Sequence, residues 1–198
     1  MKTYRVSIKS VLVFCLLLAG HLMAGSNEQL LKTMYEEEKL SYDLYTEFFN
    51  RWGLNVFDQV RESEAIHMQR IKELMDTKDI PQGTGIAGGD KGVYESKEVQ
   101  SLYDQYTVLG NISDITALET AALMEESDIA NLRSRIKSQS DERTVKVFSQ
   151  MERASRNHLR AFVKSLKLSG IDYRPAVLSQ AEYDMIINNM TEKGTALK

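Results

Sequence analysis

The stretch FDQVRESEAIHMQRIKEL, residues 57–74, decides how the chain is read. Phe57, Val60, Ile71 and Leu74 recur at spacings of three and four, which places them on one face of a helix. In the middle of that same face stand Glu64 and His67. A carboxylate and an imidazole on a stripe meant for a dry core are costly unless a partner compensates them. Their spacing of i, i+3 puts both side chains on one face, one turn apart.

Working outward, three more segments carry the same kind of stripe with the same kind of interruption. The spacing predicts a helix from about Asn27 to Trp52, with Ser26 and Gln29 placed as a capping box and Gly53 as its stop. Its seam is Leu31, Met34, Glu38, Ser41, Tyr45 and Phe48. The helix of the opening stretch runs from about Val56 to Met75. A third long helix starts near Ser113, with the seam Ile115, Leu118, Ala122, Glu125, Ile129, Leu132 and Ile136. A fourth runs from about Asp141 to Leu168 and stops at Gly170; its seam is Phe148, Met151, Ser155, His158 and Phe162. Between the second and third lies an irregular crossover over 76–95, rich in glycine, with a short helix expected over 96–108. A last short helix follows Ser179, where Ser179 and Glu182 form a second capping-box pattern. The fold class is therefore all-α: four amphipathic helices, a long central connection and a short C-terminal helix, the connectivity of a ferritin-like four-helix bundle. Periodicity alone does not separate that bundle from any other of four helices.

Composition excludes several classes. In 198 residues there are 25 basic and 28 acidic side chains, a net charge of -3, which is not the balance of a general nucleic-acid binder. Two prolines and 11 glycines are too few for the turns of an all-β fold. The single cysteine, Cys15, excludes a disulfide framework and any multi-thiolate zinc site within the chain. The glycine-rich run 83–92 lacks the phosphate-loop pattern.

Residues 1–25 read as a secretory signal and not as part of the fold. Lys2, Arg5 and Lys9 precede the apolar run VLVFCLLLAG (11–20), and Ala24 and Gly25 are small. The run is short for a membrane-spanning helix, which needs roughly 20 residues, so an uncleaved anchor is the second choice. Phe14 before Cys15 disfavours a lipoprotein site. The reading is an exported, periplasmic protein with a bundle over 26–175 and a short helix and tail over 176–198.

The interruptions supply the functional expectation. Glu38, Glu64 with His67, Glu125, and Ser155 with His158 fall near the middle of the four seams. Beyond residue 25 the chain has only two histidines, His67 and His158, and both lie on predicted inner faces. Buried acids and imidazoles from four helices need a common partner, and a dinuclear metal centre can use most of them. Carboxylates and imidazoles suit iron or manganese, and E-x-x-H is a motif of di-iron bundles. The structural alternative is a packing histidine and a buried polar network without metal. Register leaves Glu125 or Glu126 as the inward acid, with Glu125 favoured, and at least one of Glu36, Glu37 and Glu38 is expected on a solvated face.

The segments EEEKLSYDLY (36–45), ESEAIHM (62–68), MEESDIANL (124–132), SRNHLRAF (155–162) and LSQAEYD (178–184) together resemble the ferritin-like superfamily, and within it a rubrerythrin-related bacterial and archaeal family of unknown function. The resemblance implies metal ligands at Glu38, Glu64, His67, Glu125 and His158, an extra carboxylate at Asp128, and a tyrosine beside the centre at Tyr45. It also implies a departure. A second E-x-x-H needs a glutamate where Ser155 stands, so Asp128 or Glu152 must supply the acid, or the centre is mononuclear or lost. Such a site is expected to hold dinuclear iron, or manganese, and to act on oxygen or peroxide as a ferroxidase or peroxidase, with Tyr45 and Tyr42, close by in sequence, either hydrogen-bonding a ligand or serving as ordinary packing. Metal binding without turnover, and a non-catalytic interaction bundle with a degenerate site, are the alternatives. Beyond the signal no cysteine is left to bind the iron of a rubredoxin-like domain, so electrons are expected from Fe(II) itself or from outside. Ferritin-like domains often form homodimers, but no feature of the sequence fixes an interface. Arg153, Arg156 and Arg160 read as a solvated stripe; the alternative is that Arg156 or Arg160 pairs with Asp128 or Asp43 and withdraws it.

Overall fold

A computed structural model describes residues 27–82 and 89–193. The signal reading of residues 1–25 and the cap at Ser26 lie outside the described residues. All regular structure among the described residues is helical: α1 (Asn27–Trp52), α2 (Asn55–Asp76), α3 (Lys97–Gly110), α4 (Asp114–Ser138), α5 (Glu142–Leu168) and α6 (Gln180–Asn188). Among the described residues, no helix is long and apolar enough to cross a membrane.

The ends follow local chemistry. Gly53 closes α1 at φ +67 and Gly170 follows α5 at φ +78, a left-handed backbone that costs glycine no Cβ clash. Ser113 opens α4 with a reciprocal capping box to Thr116, and Asp141 caps α5 through the Thr144 amide. The Ser179–Glu182 box opens α6 as the sequence implied.

Short links make α1 with α2, and α4 with α5, into two helical hairpins, which then pack on each other through α2 against α5 and α1 against α4. The core between them has two apolar parts. One is built around Tyr45, Phe48, Phe57, Leu159 and Phe162. The other is built around Leu31, Met34, Ile71, Leu74, Phe148 and Met151. The buried polar residues Glu38, Glu64, His67, Ser155 and His158 lie, in α1, α2 and α5, between residues of the two parts, and Glu125 lies on α4 among residues of the first.

The crossover is fastened to α1 by buried polar contacts. Lys39 donates to Asp43 (2.7 Å) and to the Asp90 carbonyl (2.8 Å), while Tyr94 O–H and the Gly92 amide both donate to Asp43 at 2.9 Å. Where α3 ends, Gly110 lies directly against the Phe48 ring; a Cβ built there would stand 2.0 Å from Phe48 Cζ. Phe48 is fully buried, so the ring has little room to give. Gly110→Ala is therefore expected to destabilise the fold by about 1–3 kcal/mol through overpacking. Chemical denaturation checks this, with a shift of the midpoint at unchanged slope as the outcome.

Candidate metal centre

Five side chains from four helices meet between the two apolar parts. α1 supplies Glu38, α2 supplies Glu64 and His67, α4 supplies Glu125 and α5 supplies His158. All five are buried. His67 Nδ1 lies 2.9 Å from Glu38 Oε2 and 2.8 Å from Glu64 Oε2. His158 Nδ1 lies 3.0 Å from Glu64 Oε1 and 3.3 Å from Glu125 Oε2. The two imidazole rings are 5.9 Å apart between centroids. The donor atoms fall into two groups, Glu38–Glu64–His67 and Glu64–Glu125–His158, each with all its atoms within 4.8 Å of one another. Glu64 belongs to both and gives one oxygen to each.

The donor set fits a cation better than it fits a closed hydrogen-bond network. Glu64 Oε1, Glu125 Oε2 and His158 Nδ1 are buried without a hydrogen bond, although they stand at ion-contact distance from one another. Buried polar atoms are normally paired, and three orphans around one point need a shared partner. Oxygen and imidazole donors in that number suit iron or manganese.

Around the five, other groups are committed elsewhere. Tyr45 O–H donates to Glu125 Oε1 at 2.7 Å, and its ring packs at a tilt against Phe57 and Phe162. Tyr42 is only partly buried, next to the charge of Arg61. Asp128, one turn beyond Glu125, is partly buried and belongs to neither group. Ser155 turns its hydroxyl back to the Met151 carbonyl at 3.2 Å. Glu152 cannot stand in for the missing acid, because Arg133 and Arg156 both hold it.

Three expectations need correcting or completing. None of Glu36, Glu37 and Glu38 is exposed: Glu36 accepts from the Glu95 and Ser96 amides, Glu37 pairs with both terminal nitrogens of Arg135 (2.5 and 2.8 Å), and Glu38 enters the centre. Arg156 and Arg160 are not a solvated stripe; they fasten Glu192 and the Ile186 carbonyl of the C-terminal segment. Glu125 and Glu126 are both fully buried, and only Glu125 faces the centre. Glu126 accepts from Tyr173 O–H and from the amides of Ala176, Val177 and Leu178, so it anchors the segment leading to α6. No spacing in the sequence marks that role, since most of its partners are backbone groups of an irregular segment.

Residues 27–190 match the family described as an uncharacterized protein domain, DUF2202, and the chain belongs to that family. It is 36% identical over 161 residues to Uncharacterized protein MJ0754 of Methanocaldococcus jannaschii, covering 81% of this chain and 86% of the relative. It also matches the crystal structure of hypothetical protein MJ0754 from Methanococcus jannaschii DSM 2661, with a TM-score of 0.81 at 34% identity, over 86% of this chain and 96% of that one.

The buried charges set each other's protonation. Burial alone would lower the His67 imidazolium, but Glu64 and Glu38 outweigh it and hold the ring protonated well above its ordinary range. Burial likewise opposes His158, yet Glu64 and Glu125 raise it to about 10. Burial lifts Glu38 to about 8 against the pull of His67. Burial would raise Glu64 too, but His158 and His67 keep it ionised, far below the carboxylate range. Burial, reinforced by Glu125, raises both Tyr45 and Asp128 well above their ordinary values. At pH 7 the imidazoles carry protons that a cation must replace. Binding of Mn(II) is thus expected to release protons and to strengthen as pH rises from 6 to 8. Titration calorimetry in buffers of different ionisation enthalpy checks this; a heat independent of buffer would contradict it.

Proposed function

We propose that this member of the family is a ferritin-like metal-binding protein, with α1, α2, α4 and α5 as the four helices of the bundle and α3 inside the long crossover. In this reading it is a di-iron carboxylate oxidoreductase, with manganese as the alternative metal, acting on oxygen or peroxide as a ferroxidase or peroxidase. The observation that carries the reading is the placement of Glu64, whose two oxygens face two different histidines. Glu38 and His67 would hold one ion, Glu125 and His158 the other, and Glu64 would span both.

Bound ions supply the Lewis-acid positions and the electrons for reducing oxygen or peroxide. The chain's residues do the rest. Phe57, Phe162 and the Tyr45 ring close the site against water on one side. Tyr45, kept protonated, fixes Glu125 through Oε1 and leaves Oε2 for the centre. Asp128, one turn away and partly buried, has its carboxyl raised above its ordinary range by burial and by the charge of Glu125. The lone cysteine leaves no thiolate iron site, so the electrons come from Fe(II) as substrate or from an external donor.

A second reading, metal binding without turnover, draws on Ser155. With that hydroxyl turned to the backbone and Glu152 held by arginines, Glu64 alone bridges the two groups. Oxygen consumption on adding Fe(II) separates the readings: rapid uptake supports the oxidoreductase and none supports sequestration.

Glu64→Gln is expected to lower iron retained after purification from iron-supplemented medium by about tenfold or more, and His67→Ala to lose the ion of its own group. Glu36→Gln, at another buried acid, one that serves the crossover, should keep the iron. Metal analysis with the absorption spectrum under air and under peroxide is the measurement, and equal losses in all three variants would contradict the assignment. Ser155→Glu adds a carboxylate three residues before His158. It should lower the thermal midpoint of metal-free protein by burying a further charge and recover it with Mn(II), together with tighter binding of the second ion. Unchanged affinity in a folded variant would show that position 155 is not a missing ligand.

A further inference from the structure

The two donor groups that share Glu64 differ in what their atoms do without a cation. In the Glu38–Glu64–His67 group, His67 Nδ1 and Glu38 Oε2 are joined by a hydrogen bond of 2.9 Å. A cation entering there must break that bond. In the Glu64–Glu125–His158 group no such bond exists. Its three facing atoms, Glu64 Oε1, Glu125 Oε2 and His158 Nδ1, are all buried and lack a hydrogen bond, although His158 Nδ1 stands at ion-pair distance from both carboxylates (3.0 and 3.3 Å). Tyr45 strengthens the contrast, because its bond to Glu125 Oε1 fixes the carboxylate with Oε2 turned to the group. One half of the centre is closed on itself and the other is preorganised with orphaned donors, and an orphaned buried donor gains most from a new partner.

Resting on the metal-centre reading, we infer that the halves fill in order, with the Glu64–Glu125–His158 half taking the first divalent cation and the Glu38–Glu64–His67 half the second. The origins of the ligands give the order a structural result. The second-filling half is drawn from α1 and α2 alone, one hairpin. The first-filling half is drawn from α2, α4 and α5, so its cation joins the two hairpins. The first ion therefore stabilises the packing of hairpin on hairpin, and the second adds little to it.

The test is a Mn(II) titration of the full metal-free chain, with free ion followed by electron paramagnetic resonance and stability by thermal unfolding at each equivalent. The first equivalent is expected to bind about tenfold or more tightly than the second and to give most of the rise in midpoint. His158→Gln should abolish the tight phase, while His67→Gln and Glu38→Gln keep it. Tyr45→Phe, which retains the ring and removes only the donor to Glu125, should weaken the tight phase several-fold and leave the weak one, which covers the case in which His158→Gln does not fold. Two ions of equal affinity, or a tight phase lost in His67→Gln and kept in His158→Gln, would overturn the order and leave the dinuclear centre standing. No retention of Mn(II), Fe(II) or Co(II) by the folded native chain would overturn both.

Discussion

The structure turns on one carboxylate. Glu64 is buried at the crossing of the two hairpins, with His67 one turn along its own helix and His158 across from it on α5. An acid in that position has no access to water and persists as an anion only because positive charge surrounds it. Every other constraint follows. Glu38 and Glu125 must balance the imidazoles, the apolar residues above and below must keep water out, and four helices must hold their rotation so that five side chains reach one volume.

The rest of the buried charge is arranged so that it does not compete. Glu36 is taken by crossover amides, Glu126 by the segment before α6, Glu152 by two arginines and Asp43 by Lys39 and Tyr94. Each of these acids sits on the same helices as the candidate ligands, within a few residues of one of them, and each has protein donors of its own. That contrast is what makes the orphaned atoms of Glu64, Glu125 and His158 informative.

Much of this was legible in the sequence, because helix periodicity is a strong signal and a polar interruption of a seam is easy to see. The limits of α1 and α5, the start of α4, the short helix in the crossover and the capping box at Ser179 follow from local rules, and so does the inward turn of Glu38, Glu64, His67, Glu125 and His158. What stayed hidden depends on segments without periodicity. The partners of Glu36, Glu126, Arg156 and Arg160 lie in the crossover and the C-terminal stretch, whose paths no spacing rule gives. A run such as Glu36–Glu37–Glu38 therefore looked partly solvated, and three arginines along α5 looked like a surface stripe. Asp128 shows the converse: a resemblance marked it as a ligand, while its position one turn on leaves it beside the group.

Three successive glutamates on α1 reach in three directions, one to the crossover amides, one to Arg135 on α4 and one to His67. Since neighbouring residues are separated by roughly 100° around a helix, those three tethers prevent α1 from rolling about its axis. Torque applied at Glu95 and Ser96 is thereby delivered, through one rigid rod, to the carboxylate of Glu38. The crossover and the buried cluster of acids and imidazoles are mechanically in series through α1, and a load on the first is felt by the second.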